Sequence, residues 1–160
     1  VSVEHNIATN IKHRMIDLNA NIAGPIIDLS ITHNTLLFDP DGSGNAMLST
    51  DGKSDPWPVV ERFEIKDNIM EHAKYGHHLA GSKPIGELYI EFFDWRHNVI
   101  IGGSRNVPES NYAPFDYLIV DSLDDVGFVD WQNGDYRLSE SSNFLGLATD
   151  GKDIGAGLDF

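Results

Sequence analysis

Apolar and polar residues alternate in short runs along this chain, as in Asp28-Leu29-Ser30-Ile31, Arg62-Phe63-Glu64-Ile65 and Phe93-Asp94-Trp95. A period of two marks a half-buried strand, whereas a helix brings apolar residues round every three or four positions. Only residues 10–19, with Ile11, Met15 and Leu18, carry helical spacing, and that stretch is short. The alternating runs lead into one recurring motif. Val3-Glu4-His5-Asn6-Ile7, Ile31-Thr32-His33-Asn34-Thr35, Ile65-Lys66-Asp67-Asn68-Ile69 and Trp95-Arg96-His97-Asn98-Val99 all read apolar, polar, His or Asp, Asn, β-branched. The asparagines are spaced by 28, 34 and 30 residues, and the apolar pairs Leu36-Leu37, Ile69-Met70 and Val99-Ile100 follow the last three.

A strand, an asparagine corner, another strand and a wider return, repeated about every 30 residues, predict an all-β chain coiled as a parallel β-helix of about four rungs. Asparagine visits the left-handed region cheaply, so Asn6, Asn34, Asn68 and Asn98 are expected to turn the chain. Stacked at the roughly 4.8 Å spacing of strands, their amides would form an internal ladder. The residues just before them, His5, His33, Asp67 and His97, would form a second column. That column could share a proton or a divalent metal, or could stack outward and hydrogen-bond the turn, which the residue types favour. Residues 1–120 are assigned to rungs, with Gly/Pro/Asp-rich loops at 39–58 and 102–115. Residues 121–160 are assigned to a C-terminal capping segment of the same domain.

The tail carries Asp125-Val-Gly-Phe128-Val-Asp130-Trp131-Gln-Asn-Gly-Asp135-Tyr136-Arg137-Leu138-Ser139 and then Thr149-Asp150-Gly151-Lys152-Asp153-Ile154-Gly155-Ala156. Both runs resemble the closing segment of right-handed parallel β-helix proteins of the pectate-lyase-like superfamily, and the Ile-Thr-His-Asn-Thr corner is similar to their turns. The order of segments resembles secreted bacterial β-helix repeat proteins, often joined to Ig-like domains. The resemblance implies a right-handed coil, a secreted, periplasmic or cell-surface location, and carbohydrate as the ligand class. A stack of rungs ends in an open apolar cross-section, so Phe128, Val129, Trp131, Tyr136, Leu138, Phe144, Leu145 and Leu147 are expected to form a lid over one end. The other end, opening at Val1 with no methionine and no apolar leader, is expected to be sealed by upstream chain or a partner subunit.

Charge narrows the partners. Eleven Lys+Arg against 25 Asp+Glu leave a net −14, opposed to duplex nucleic acid and to anionic lipid. No apolar run is long enough to span a membrane. Without cysteine there is no disulfide, zinc knuckle or thiol nucleophile. Asp39, Asp41, Ser43 and Asn45 match the opening of a calcium loop with Gly44 at its sixth position, so calcium is the candidate cofactor. Thr50 stands where the bidentate glutamate belongs, and Asp39-Pro40-Asp41-Gly42 also suits a plain turn. The group Glu71-His72 with His77-His78 has no metal-site spacing and reads as surface loop.

Lyases on such scaffolds need an Arg or Lys base beside calcium-binding acids, and glycosidases need paired carboxylates. The acids here fall into neither pattern, and no catalytic residue is assigned. Trp57 and Tyr112, in the long loops, are the candidate sugar platforms. The expected function is a non-catalytic extracellular or cell-surface module, structural or carbohydrate-binding, within a larger chain or assembly. The alternative is a lyase or hydrolase of acidic polysaccharide with catalytic groups partly upstream.

Overall fold

The protein was analysed as a computed structural model that describes residues 1–18, 26–40, 44, 46–50, 60–79, 89–102 and 116–157. Strands dominate. In chain order they are β1 (Ser2–Glu4), β2 (Ile7–Ile11), β3 (Arg14–Leu18), β4 (Ile26–Thr32), β5 (Thr35–Phe38), β6 (Ala46–Thr50) and β7 (Val60–Lys66). There follow β8 (Ile69–Glu71), β9 (His77–Leu79), β10 (Tyr89–Arg96), β11 (Asn98–Ile101), β12 (Tyr117–Val120), β13 (Phe128–Asp130) and β14 (Asp135–Leu138).

The first twelve strands form three parallel sheets, which the chain visits in a fixed rotation through β11, after which β12 pairs again in the sheet of β11. Sheet A holds β1-β4-β7-β10, sheet B holds β2-β5-β8-β11-β12, and sheet C holds β3-β6-β9, each in spatial order. Every pairing in these sheets is parallel, and among the described residues the hairpin β13–β14 alone is antiparallel. Register repeats from one circuit to the next. Val3, Ile31, Ile65 and Trp95 occupy one row of sheet A, and Ala8, Leu36, Met70, Ile100 and Ile119 one row of sheet B. These rows, apart from Val3 and Ile119 at their ends, pack with Leu29 and Phe63 from sheet A and Ile16, Leu18 and Leu48 from sheet C into a core enclosed by the three sheets. Residues 10–18 are therefore not helical: they hold the end of β2 and the whole of β3, joined through residues 12–13. In β3 the alternation shows directly: Ile16 and Leu18 are buried and Asp17 between them is exposed.

The corner between sheets A and B departs from expectation in one respect. The left-handed residues are His5, His33, Asp67 and His97, with φ of 55°, 53°, 61° and 51°, and not the asparagines after them. Turning at the preceding residue frees each asparagine to point inward. Asn34, Asn68 and Asn98 are wholly buried. Nδ2 of Asn6 donates to Oδ1 of Asn34 at 3.0 Å, Asn34 to Asn68 at 3.0 Å, and Asn68 to Asn98 at 2.9 Å. Each Oδ1 also accepts the backbone N–H of the asparagine before it, at 3.0 to 3.1 Å. Further bonds from Nδ2 to the carbonyls of Glu4, Thr32, Lys66 and Arg96 tie each amide to its own strand. A buried amide left unbonded would cost about 1–3 kcal/mol, and none of the three buried ones, Asn34, Asn68 and Asn98, is.

Residues 121–157 lie on the flank and do not act as the lid anticipated over one end. Val126, Phe128, Phe144, Ala148 and Ile154 pack on Leu37, Ile69, Val99 and Ile101, the outward side chains of sheet B. Val129, Leu145 and Leu147, expected in the lid, are exposed. Ile119, last in its inward row, is 42% exposed, whereas Met70 and Ile100 in the same row are at 0% and 1%. The apolar demand was on the outer face of sheet B, which two consecutive apolar side chains per strand leave uncovered.

Candidate docking edge and the corner column

Two features of the stack carry polar chemistry: the corner column and the first circuit. The column reads His5, His33, Asp67, His97 and, by the register of β12 on β11, Asp116. His5 and His33 stack face to face at 5.0 Å with planes 11° apart. Nε2 of His33 lies 3.8 Å from Asp67 and 3.4 Å from Asp150, and Nε2 of His97 lies 3.3 Å from Asp116. Asp116 was missed in the sequence because Tyr117 follows it where asparagine follows its counterparts.

The C-terminal segment runs along this column in reverse order. Nδ1 of His97 bonds the carbonyl of Leu147 at 2.7 Å. Thr149 donates its N–H and hydroxyl to the two oxygens of Asp67, at 2.8 and 2.6 Å. Gly155 donates to the Asp67 carbonyl at 2.9 Å, and the carbonyl of Ala156 meets His5 Nδ1 at 3.0 Å. Gly155 has φ of +93°, and a β-carbon there would stand 2.7 Å from Ile69 Cδ1 and 2.9 Å from Thr35 Oγ1. Only glycine seats the segment this closely. The column is thus a latch for the chain end. Among the described residues no three His, Asp or Glu side chains converge as a metal site would require.

The first circuit is different. β1, β2 and β3 each stand at the end of their sheet, paired on one side only. Val3 is 40% exposed, while Ile31, Ile65 and Trp95 in the same row are at 4%, 0% and 3%. The amide-to-amide bonds of the ladder have a direction, each Nδ2 donating to the Oδ1 of the next circuit, while Nδ2 of Asn34, Asn68 and Asn98 also reaches back to the carbonyls of Val3, Ile31 and Ile65. At the head of the ladder, no described residue donates to Oδ1 of Asn6. An edge of this kind offers a row of backbone groups and one oriented amide oxygen to an incoming parallel strand.

The other predicted sites divide. Asp39 is half-buried after β5 and donates its N–H to Ile11 at 2.9 Å. Asp41, Ser43, Asn45, Trp57 and Tyr112 lie outside the described residues. Glu71 and His72 are not surface loop: His72 is buried at the end of β8, and His77–Leu79 form β9. Burial pushes the Glu71 carboxyl up against the opposing pull of the Phe38 N–H, and burial pushes His72 down. Arg14, Arg62, Arg96 and Arg137 pair with Asp17, Asp28, Asp94 and Asp135 at 3.1, 2.5, 2.5 and 2.5 Å. These partners raise Arg96 and Arg137 further and hold Asp135 down to about 2.

No family model, no curated protein and no solved structure matches this chain.

Proposed function

We propose that the chain is a non-catalytic structural module of an extracellular or cell-surface protein. In this reading it is the terminal section of a right-handed parallel β-helix of the pectate-lyase-like kind, and its first circuit seats a further parallel coil from the longer chain or a partner subunit. The observation that carries it is the head of the asparagine ladder, an acceptor oxygen aimed outward from three strands with one free edge each. Such an end is complementary to one object above all: another circuit in the same direction with an amide at its corner. The four described arginines, Arg14, Arg62, Arg96 and Arg137, speak for a structural role as well. A lyase base must lose a proton near neutral pH, and arginines held by carboxylates are drawn away from that task.

The test extends the stack by design. A copy of residues 1–28 is fused ahead of Val1, which sets a new asparagine one repeat before Asn6. Hydrogen exchange at Ser2–Glu4 and Ile7–Ile11 is expected to slow about tenfold or more as these edges become paired, and the unfolding midpoint to rise. An added copy that exchanges as unstructured chain, with the midpoint unmoved, would refute the docking role.

A further inference from the structure

The strands are parallel and the ladder is polar, so a copy of this chain could dock on the first circuit only with its far end. Such a head-to-tail contact, repeated, gives an open filament. Each step of the ladder shows what an incoming corner must bring. Oδ1 of Asn34 takes both the backbone N–H and the Nδ2 of Asn6, at 3.1 and 3.0 Å. Asn68 and Asn98 take the same pair from the asparagine before them.

The far end lacks half of this pair. Tyr117 holds the register place of Asn98 in the last strand of sheet B, so it can offer an N–H but no amide. Nδ2 of Asn98 is engaged inward, with the carbonyls of Ile65 at 2.7 Å and Arg96 at 3.2 Å. A phenol is also too large for a corner that encloses Asn34, Asn68 and Asn98 completely. Asp116, beside Tyr117, lies 3.3 Å from His97 of its own chain. The apolar residues left open at the two ends miss each other as well. Val3, 40% exposed, belongs to sheet A, whose row ends among the described residues in Trp95 at 3%. Ile119, 42% exposed, belongs to sheet B, whose row begins at the partly buried Ala8. Two copies at a net −14 each also repel.

We propose that Tyr117 is a stop, and that the first circuit seats a coil other than this chain, one whose last corner carries an asparagine. The inference rests on the docking reading above and narrows it, because a second copy is refused. Seating a copy would close Oδ1 of Asn6 away from water without the amide that its counterparts receive, which is destabilising. Tyr117 thereby keeps a chain with an open strand edge from growing into a fibre.

The test varies only the incoming corner. A copy of residues 1–28 is fused ahead of Val1 with its asparagine kept, with Asn6→Tyr or with Asn6→Ala, and hydrogen exchange is followed at Ser2–Glu4 and Ile7–Ile11. The kept asparagine is expected to slow exchange about tenfold, Asn6→Tyr to leave it within about twofold of the native chain, and Asn6→Ala to fall between. The native chain is expected to sediment as a single species up to about 1 mM. The inference is overturned, with docking intact, if the Asn6→Tyr copy protects these strands as well as the unchanged copy does. It is overturned in the same way if the Asn6→Ala copy protects them fully, since no amide is then needed, or if the native chain self-associates and protects them. Protection by none of the copies sinks the docking reading itself, and this inference with it.

Discussion

The interior of the stack and the flank beneath the C-terminal segment are both buried and apolar, yet they are made by opposite means. Inside, each circuit repeats the last: Ile31, Ile65 and Trp95 fill one row, and Leu36, Met70 and Ile100 another. On the flank, a single non-repeating segment brings Val126, Phe128, Phe144 and Ile154 to cover Leu37, Ile69, Val99 and Ile101. Repetition makes a core whose parts depend on their nearest neighbours. The flank instead depends on one path of the chain end, held by contacts specific to it.

The sharpest break is Phe63→Ala. Phe63 is wholly buried among all three sheets, and its loss leaves a cavity that costs about 3–5 kcal/mol, read as a lowered urea midpoint. Protection should fall chiefly in β4, β7 and β10, with the hairpin β13–β14 keeping its hydrogen-exchange pattern until global unfolding. Gly155→Ala strikes the flank. The positive φ and the clash with Ile69 and Thr35 are expected to cost about 1–3 kcal/mol and to speed exchange at Thr149 and Gly155 while Phe63 stays packed. Equal loosening of interior and flank in both variants would erase the distinction.

Glu71→Gln is the smallest and has the opposite sign. The folded state holds the Glu71 carboxyl above its ordinary value of 4.5, so it binds the proton more tightly than the unfolded chain does. Stability from this group is present below that value and is lost as pH rises through the folded one. Glutamine keeps an acceptor for the Phe38 N–H without the buried charge. The variant is expected to gain somewhat under about 1 kcal/mol at neutral pH and nothing at pH 3.5, measured by urea melts at both. A gain that is the same at both values would remove the charge explanation.

What the sequence disclosed follows the same division. Period-two alternation and the four His/Asp-Asn corners announced the parallel rows and the ladder, because repetition amplifies a weak local signal. The turning residue was misplaced by one, since histidine and asparagine both tolerate positive φ and only the inward geometry separates them. The fifth strand of sheet B was hidden by Asp116-Tyr117, which keeps the corner acid and drops the asparagine. The flank was legible in principle. Strands β5 and β11, Thr-Leu-Leu-Phe and Asn-Val-Ile-Ile, are apolar on consecutive residues, and such a strand is covered on both faces. Nothing in the spacing tells which segment does the covering. The calcium candidates Asp41, Ser43 and Asn45 and the candidate platforms Trp57 and Tyr112 lie outside the described residues.

The latch at the corner has a mechanical consequence. Arrays of like units ordinarily fray from an end, one unit letting go before the next. Here a single belt is riveted in turn to His97, Asp67 and His5, so the first circuit cannot peel off without also tugging at the fourth. Melting of the array is thereby tied to release of the belt, and a modular object comes apart in one step.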